Sequence, residues 1–129
     1  MLYYYYDEDD NMKQLVIKIG GDMKGDIKQV FDNPKTAQKN THTLYLKNSE
    51  DLYEILSPKR LELLRYIINH QIDKKTISEL AEELERKQEA ISRDANLLVK
   101  YNLIEKIRER QMVYLKAIYN SLQIRFTST

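Results

Sequence analysis

The chain has 129 residues, with 21 Lys plus Arg against 20 Asp plus Glu for a formal charge of +1, two His, no Cys and no Trp. That length suits one compact domain, or a domain with an appendage, and leaves no room for a large catalytic core. Zero cysteine excludes a disulfide scaffold, cysteine-based zinc sites and thiol catalysis, and near-neutrality means that charge for a nucleic-acid partner must be segregated along the chain rather than abundant.

With 42% hydrophobic and 32% charged residues and only three Gly and two Pro, the composition is that of an element-rich helical or α+β protein. No apolar run approaches the ~20 residues of a membrane span, so no membrane partner is expected, and the location implied by absent cysteine is the cytoplasm. Residues 1–12 join four tyrosines, Tyr3 to Tyr6, to Asp7, Glu8, Asp9 and Asp10. They are expected to form a tail or an added edge strand, since four adjacent carboxylates cannot all converge on one ion.

Residues 14–19 are β-branched and alternate loosely, which predicts a strand ended by Gly20 and Gly21. Met23, Ile27, Val30 and Phe31 fall at helical spacing before Asn33 and Pro34, predicting a short helix. A second strand is expected around Thr43 to Lys47, so residues 13–48 form a small strand-helix-strand element suited to dimerisation or partner binding. Ser49 is a candidate cap for a short helix through Leu56. Ser57 then caps a helix from Pro58 to about His70, with proline at the first position, where its missing donor costs nothing. That helix carries Leu61, Leu64 and Ile68 on one side and Leu63, Tyr66 and Ile67 on others, more apolar surface than one neighbour covers.

Thr76-Ile77-Ser78-Glu79 is a capping box and predicts a helix start. Leu80, Ala81 and Leu84 make its buried face, and Arg86 and Lys87 form the turn that follows. A second helix runs from about Gln88 to Tyr101, with Asn102 suited to the left-handed position that ends it. Ile91, Ala95 and Leu98 occupy one wedge of this helix. Glu89, Ser92, Arg93, Asn96 and Lys100 occupy the opposite one, a mixture of donors and acceptors suited to base edges in a major groove. The plain alternative is a solvated face with Glu89 and Arg93 paired at i, i+4. Leu103 to Arg108 and Met112 to Ala117 then read as a hairpin turning at Glu109 to Gln111, without the Gly that a two-residue turn prefers. Leu122, Ile124 and Phe126 suggest one more strand, within residues 118–129.

Helix, turn, helix and basic hairpin are the order of a winged helix-turn-helix, over residues 49–117. Residues 57–105 resemble the winged-helix core of MarR-like and ArsR-like regulators. They are still more similar to small archaeal and bacterial DNA-binding proteins often encoded beside TumE-type toxins and taken to be antitoxins. The likeness rests on Ser57-Pro58-Lys59-Arg60-Leu61, Ser78-Glu79-Leu80-Ala81, Ser92-Arg93-Asp94 and Asn102-Leu103-Ile104. Glu85 departs from it, standing where the turn commonly carries Gly, and the tyrosine-acid tail has no counterpart. The resemblance implies a mainly helical α+β fold and double-stranded DNA as partner, with a cognate toxin as a further candidate.

Other motifs carry less. Gly20 to Gly25 matches G-x-x-x-x-G but lacks the Lys-Ser/Thr of a phosphate loop, and Asp26 there would repel phosphate. His42 and His70 have no metal-ligand spacing, and no serine lies in a nucleophile elbow, so neither an enzyme, a metal nor a cofactor is expected. The charge is segregated. Residues 76–85 hold four Glu and no base, whereas residues 86–129 hold nine Lys plus Arg against four Asp plus Glu, so the basic excess begins at the helix turn and runs through the wing.

These features lead to the expectation of a homodimeric, sequence-specific repressor. Gln88, Glu89, Ser92, Arg93 and Asn96 would lie in the groove, Arg93 on guanine and Gln88 on adenine. Arg86, Lys87, Arg108 and Arg110 would hold phosphates or the minor groove, and Thr76 a phosphate at its helix N-terminus. The competing expectations are an antitoxin that also autoregulates its operon, and a winged-helix adaptor that never touches DNA.

Overall fold

The structure is a computed structural model, and it describes residues 13–20, 23–33, 40–70 and 74–126. The tyrosine-acid tail therefore lies outside the described residues. In chain order the elements are β1 (Gln14–Ile19), α1 (Met23–Asp32), β2 (Thr41–Leu46), α2 (Ser49–Ile55), α3 (Pro58–Asn69), β3 (Lys75–Thr76), α4 (Ile77–Glu83), α5 (Gln88–Lys100), β4 (Ile104–Glu109), β5 (Met112–Ala117) and β6 (Ser121–Phe126). The fold is α+β, a winged helix-turn-helix with a strand-helix-strand element before it and a strand after it. The described residues divide into two compact units, one reaching Leu52 and resuming at Asn120, the other Tyr53–Tyr119.

In the first unit the strands lie in the order β2-β1-β6, both neighbours parallel to β1. The apolar alternation predicted at 14–19 places Leu15, Ile17 and Ile19 on one face, and all three are buried. The C-terminal strand, though far away in sequence, pairs Leu15 with Leu122 and Ile19 with Phe126. The other face carries Lys18 and Tyr45, both of which reach Asp26 of α1, at 2.5 and 2.8 Å. Lys18 foremost, and Tyr45 next, hold the Asp26 carboxyl below its ordinary 3.8. The same contact, after burial itself, pushes the Tyr45 hydroxyl up to about 12.

The second unit is built on α3. Ser57 accepts from the Arg60 amide at 3.3 Å, as expected for a Ser-Pro helix start. Of the wide apolar surface expected on α3, Leu63, Leu64 and Ile67 enter the core, while Leu61 is exposed and Ile68 half-buried. For the preceding helix the cap is Asn48, whose side chain accepts from the Asp51 amide, and not Ser49, which is already helical. Thr76 and Glu79 close the capping box, each side chain accepting from the other's backbone amide at 3.1 and 3.0 Å. The Thr76 amide holds the Glu79 carboxyl below its ordinary value.

Leu80, Ile91, Ala95, Leu98, Leu103, Ile104 and Leu115 complete this core, and α5 packs on α3, α4 and β4. Among the described residues one carboxylate, Asp94, lies within it, 3% exposed. Its Oδ1 accepts from Arg60 at 3.4 Å and its Oδ2 from Arg86 at 2.6 Å. Arg60 also donates to the Glu54 and Ile55 carbonyls that end α2, at 2.7 and 2.9 Å. A third strand joins the wing that sequence periodicity missed: β3 pairs its two residues with Leu115 and Tyr114.

Breaking a buried ion pair from one side leaves an uncompensated charge, so Asp94→Ala should cost about 3 to 5 kcal/mol in urea unfolding. The depressed carboxyls of Asp26 and Glu79 give a second expectation. A carboxyl whose folded value lies below its unfolded value contributes stability that is present above the unfolded value and lost as pH falls through the folded one. The urea midpoint should therefore decline as pH falls below about 4, and Asp26→Asn should decline less steeply.

Candidate nucleic-acid interface

The helix-turn-helix is set by two turns of the same kind. At the end of α4 the Arg86 amide donates to the Ala81 carbonyl at 2.8 Å and the Glu85 amide to that of Glu82 at 3.2 Å, with Glu85 at φ 54. At the end of α5 the Leu103 amide donates to Leu98 and the Asn102 amide to Val99, both at 2.9 Å, with Asn102 at φ 59. Both are Schellman motifs, which satisfy the carbonyls a helix end leaves open. Asn102 takes the left-handed position expected of it. Glu85 does so too, without the glycine that such a position favours.

Between these turns α5 spans 13 residues, about 20 Å at 1.5 Å each. Ile91, Ala95 and Leu98 are fully buried. The opposite stripe is open: Glu89, Arg93, Asn96 and Lys100 are exposed and Ser92 is half-buried. Two members of the expected set are already engaged. Gln88 donates its amide to the Ser78 hydroxyl at 3.2 Å, tying the two helices at their tips, and Asn96 accepts from Lys106 of the wing. Lys106 was not among the sequence candidates, because the contact joins a helix to a strand ten residues later.

The wing is β4 and β5 in register from Ile104 opposite Ala117 to Glu109 opposite Met112. Its turn is thus Arg110-Gln111, one residue shorter than expected, and Arg110 takes φ 58 in place of the missing Gly. Arg108, Arg110 and Lys116 are exposed along it. Lys74 bonds Glu109 at 2.7 Å, which pins the base of this turn.

Two residues expected at phosphates are engaged within the fold. Arg86 does not face outward: its guanidinium is turned onto Asp94, its side chain is 11% exposed, and its Nη1 is enclosed without a partner among the described residues. Thr76 is buried, its hydroxyl capping α4 while the Glu79 carboxylate occupies the same helix end, where it repels a phosphate. Lys87, exposed just before α5, remains in the turn. The open cations are therefore Lys87, Arg93, Lys100, Arg108, Arg110 and Lys116. Among the described residues no helix is long and apolar enough to cross a membrane.

The sequence model of one protein family, HVO_A0114, matches residues 55–124, which include the helix-turn-helix and wing. Curated protein sequences yield no match. Among solved structures the chain is similar to NolR from Sinorhizobium fredii, at 25% identity over 54% of this chain and 66% of that one, with a TM-score of 0.46. It is also similar to HlyU from Vibrio vulnificus, titled a transcriptional regulator, at 20% identity over 71% and 81% of the two chains with a TM-score of 0.45. For YusO from Bacillus subtilis the values are 20%, 74% and 62%, and 0.47.

Because Glu85 holds a backbone position that suits glycine, Glu85→Gly should raise stability by about 1 kcal/mol in urea unfolding. It should leave the helix-turn-helix geometry unchanged, as seen by amide chemical shifts of α5.

Proposed function

The chain belongs to the HVO_A0114 family, and we propose that this protein is a sequence-specific DNA-binding transcription regulator that acts as a repressor. The observation that carries the reading is the open stripe of α5 flanked by exposed cations on the wing. Glu89, Ser92 and Arg93 face outward from a helix long enough to cross a major groove, while Arg108 and Arg110 stand at the hairpin end. Arg93 is the guanine reader, because its guanidinium is exposed and has the fork geometry that O6 and N7 require. Gln88 would have to leave Ser78 to read adenine, and Asn96 to leave Lys106. Lys87, Arg108 and Arg110 hold backbone or minor groove.

A homodimer would set two α5 helices on half-sites one helical turn apart. Exposed apolar residues of the first unit support an assembly partner: Met23, Ile27 and Phe31 on α1, and Ile124 and Phe126 on β6. Those same residues favour a second reading, in which this unit docks a cognate toxin and the winged helix autoregulates the operon.

A mobility shift with DNA from upstream of the protein's own gene tests the main reading. Arg93→Ala should cost about 1 to 3 kcal/mol at the specific site and relax discrimination at one base pair. Arg110→Ala should weaken all sequences alike and lower the salt slope by about 1. Unchanged affinity in both variants would remove the interface from α5 and the wing, and an absent shift with folded protein would favour the adaptor.

A further inference from the structure

The face of the three-stranded sheet crossed by α1 is built unlike a packing surface. A helix that connects two parallel strands ordinarily buries an apolar stripe on the sheet. Here α1 buries none of its side chains, and a cavity of about 350 Å³ lies between helix and sheet. Its walls are mostly polar: Lys18 from β1, Thr43 and Tyr45 from β2, Arg125 from β6, and Asp26 and Gln29 from α1, with Val16 and Val30 as the apolar part of the lining. That volume falls in the range of small-molecule sites.

The charges do not balance within this cavity. Lys18 and Arg125 are register partners on adjacent strands, and like charges directly opposite one another are destabilising. Among the described residues one carboxylate answers the two cations. Asp26 Oδ2 accepts from both Lys18 and the Tyr45 hydroxyl, so it is committed to the Lys18 side. The Arg125 Nε and Nη2 donate to the neutral Gln123 amide oxygen at 3.3 and 3.0 Å, and among the described residues Arg125 has no acidic partner. A planar guanidinium beside an ammonium, with hydroxyl and amide donors around an open volume, matches a planar or tetrahedral oxyanion.

We propose that the cavity between α1 and the β2-β1-β6 sheet binds a small organic anion through a carboxylate or phosphoryl group held by the Arg125 guanidinium, the cation that Asp26 does not pair. Thr43 and Gln29 supply neutral hydrogen bonds to it. The site is separate in residues from the DNA interface and does not depend on that reading.

Calorimetric titration of the full chain at constant ionic strength, with inorganic phosphate in one arm and succinate in the other, tests this. Saturable binding of either probe is expected, and the arm that saturates names the group. Arg125→Gln should weaken it at least tenfold. Thr43→Leu, which fills the cavity and keeps both cations, should do the same, and it decides the matter if Arg125→Gln fails to fold by circular dichroism. The double variant Arg93→Ala, Arg110→Ala should bind as the parent does. Three results would overturn the proposal: no saturable heat with either probe, binding that survives Thr43→Leu, or loss of binding in the double variant, which would place the anion on the DNA interface.

Discussion

The buried carboxylate of Asp94 is the constraint around which the winged-helix unit is arranged. A charge taken out of water is tolerated only when its lone pairs are matched. Here each oxygen meets a different arginine, Arg60 from the start of α3 and Arg86 from the turn after α4. Arg60 carries the arrangement further by donating to the two carbonyls that end α2. The end of α2, the start of α3 and the turn after α4 are thereby tied to a single side chain of α5. Rotation of α5 about its axis would pull Asp94 off both arginines, so the network fixes which stripe of that helix faces out. The apolar residues Ile91, Ala95 and Leu98 set the same phase, but non-directional contacts tolerate small rotations that a two-sided ion pair does not.

The same network removes an arginine from the surface. Arg86 adds to the basic excess counted along the chain, yet its charge is spent inside the fold. The exposed positive charge lies instead on α5 and the wing, with Lys87, Arg93, Lys100, Arg108, Arg110 and Lys116 open. A chain of overall charge +1 can thus present a basic face. Under the proposed function its nonspecific attraction to DNA would be modest, and more of the binding would rest on base contacts and on the joining of two copies.

Much of this was legible in the sequence where the cause is local. The capping box at Thr76, the Ser57-Pro58 start, the apolar wedge of Ile91, Ala95 and Leu98, and the left-handed Asn102 all depend on neighbours within a few residues. What escaped depends on distant partners. Asp94 sits three residues after Ile91, on the flank of the apolar wedge, and nothing in its spacing tells a buried carboxylate from a solvated one until Arg60 is placed beside it. Arg86 read as a phosphate contact for the same reason. The pairing of β6 with β1 joins residues about a hundred positions apart, and β3 is too short to have a period. Glu85 was visible as an oddity, and its φ of 54 shows that hydrogen bonds from Glu85 and Arg86 hold the turn without glycine.

The central claim is that Asp94 fixes α5 so that its open stripe reads a major groove. Dimethyl sulfate protection on the protein's own upstream DNA tests it most directly, because the reagent attacks guanine N7, the atom that the proposed function assigns to Arg93. The account predicts protected guanines in two half-sites about 10 base pairs apart, with protection lost in Arg93→Ala at concentrations that still saturate the DNA. Bound DNA whose guanine N7 atoms all remain reactive would contradict it.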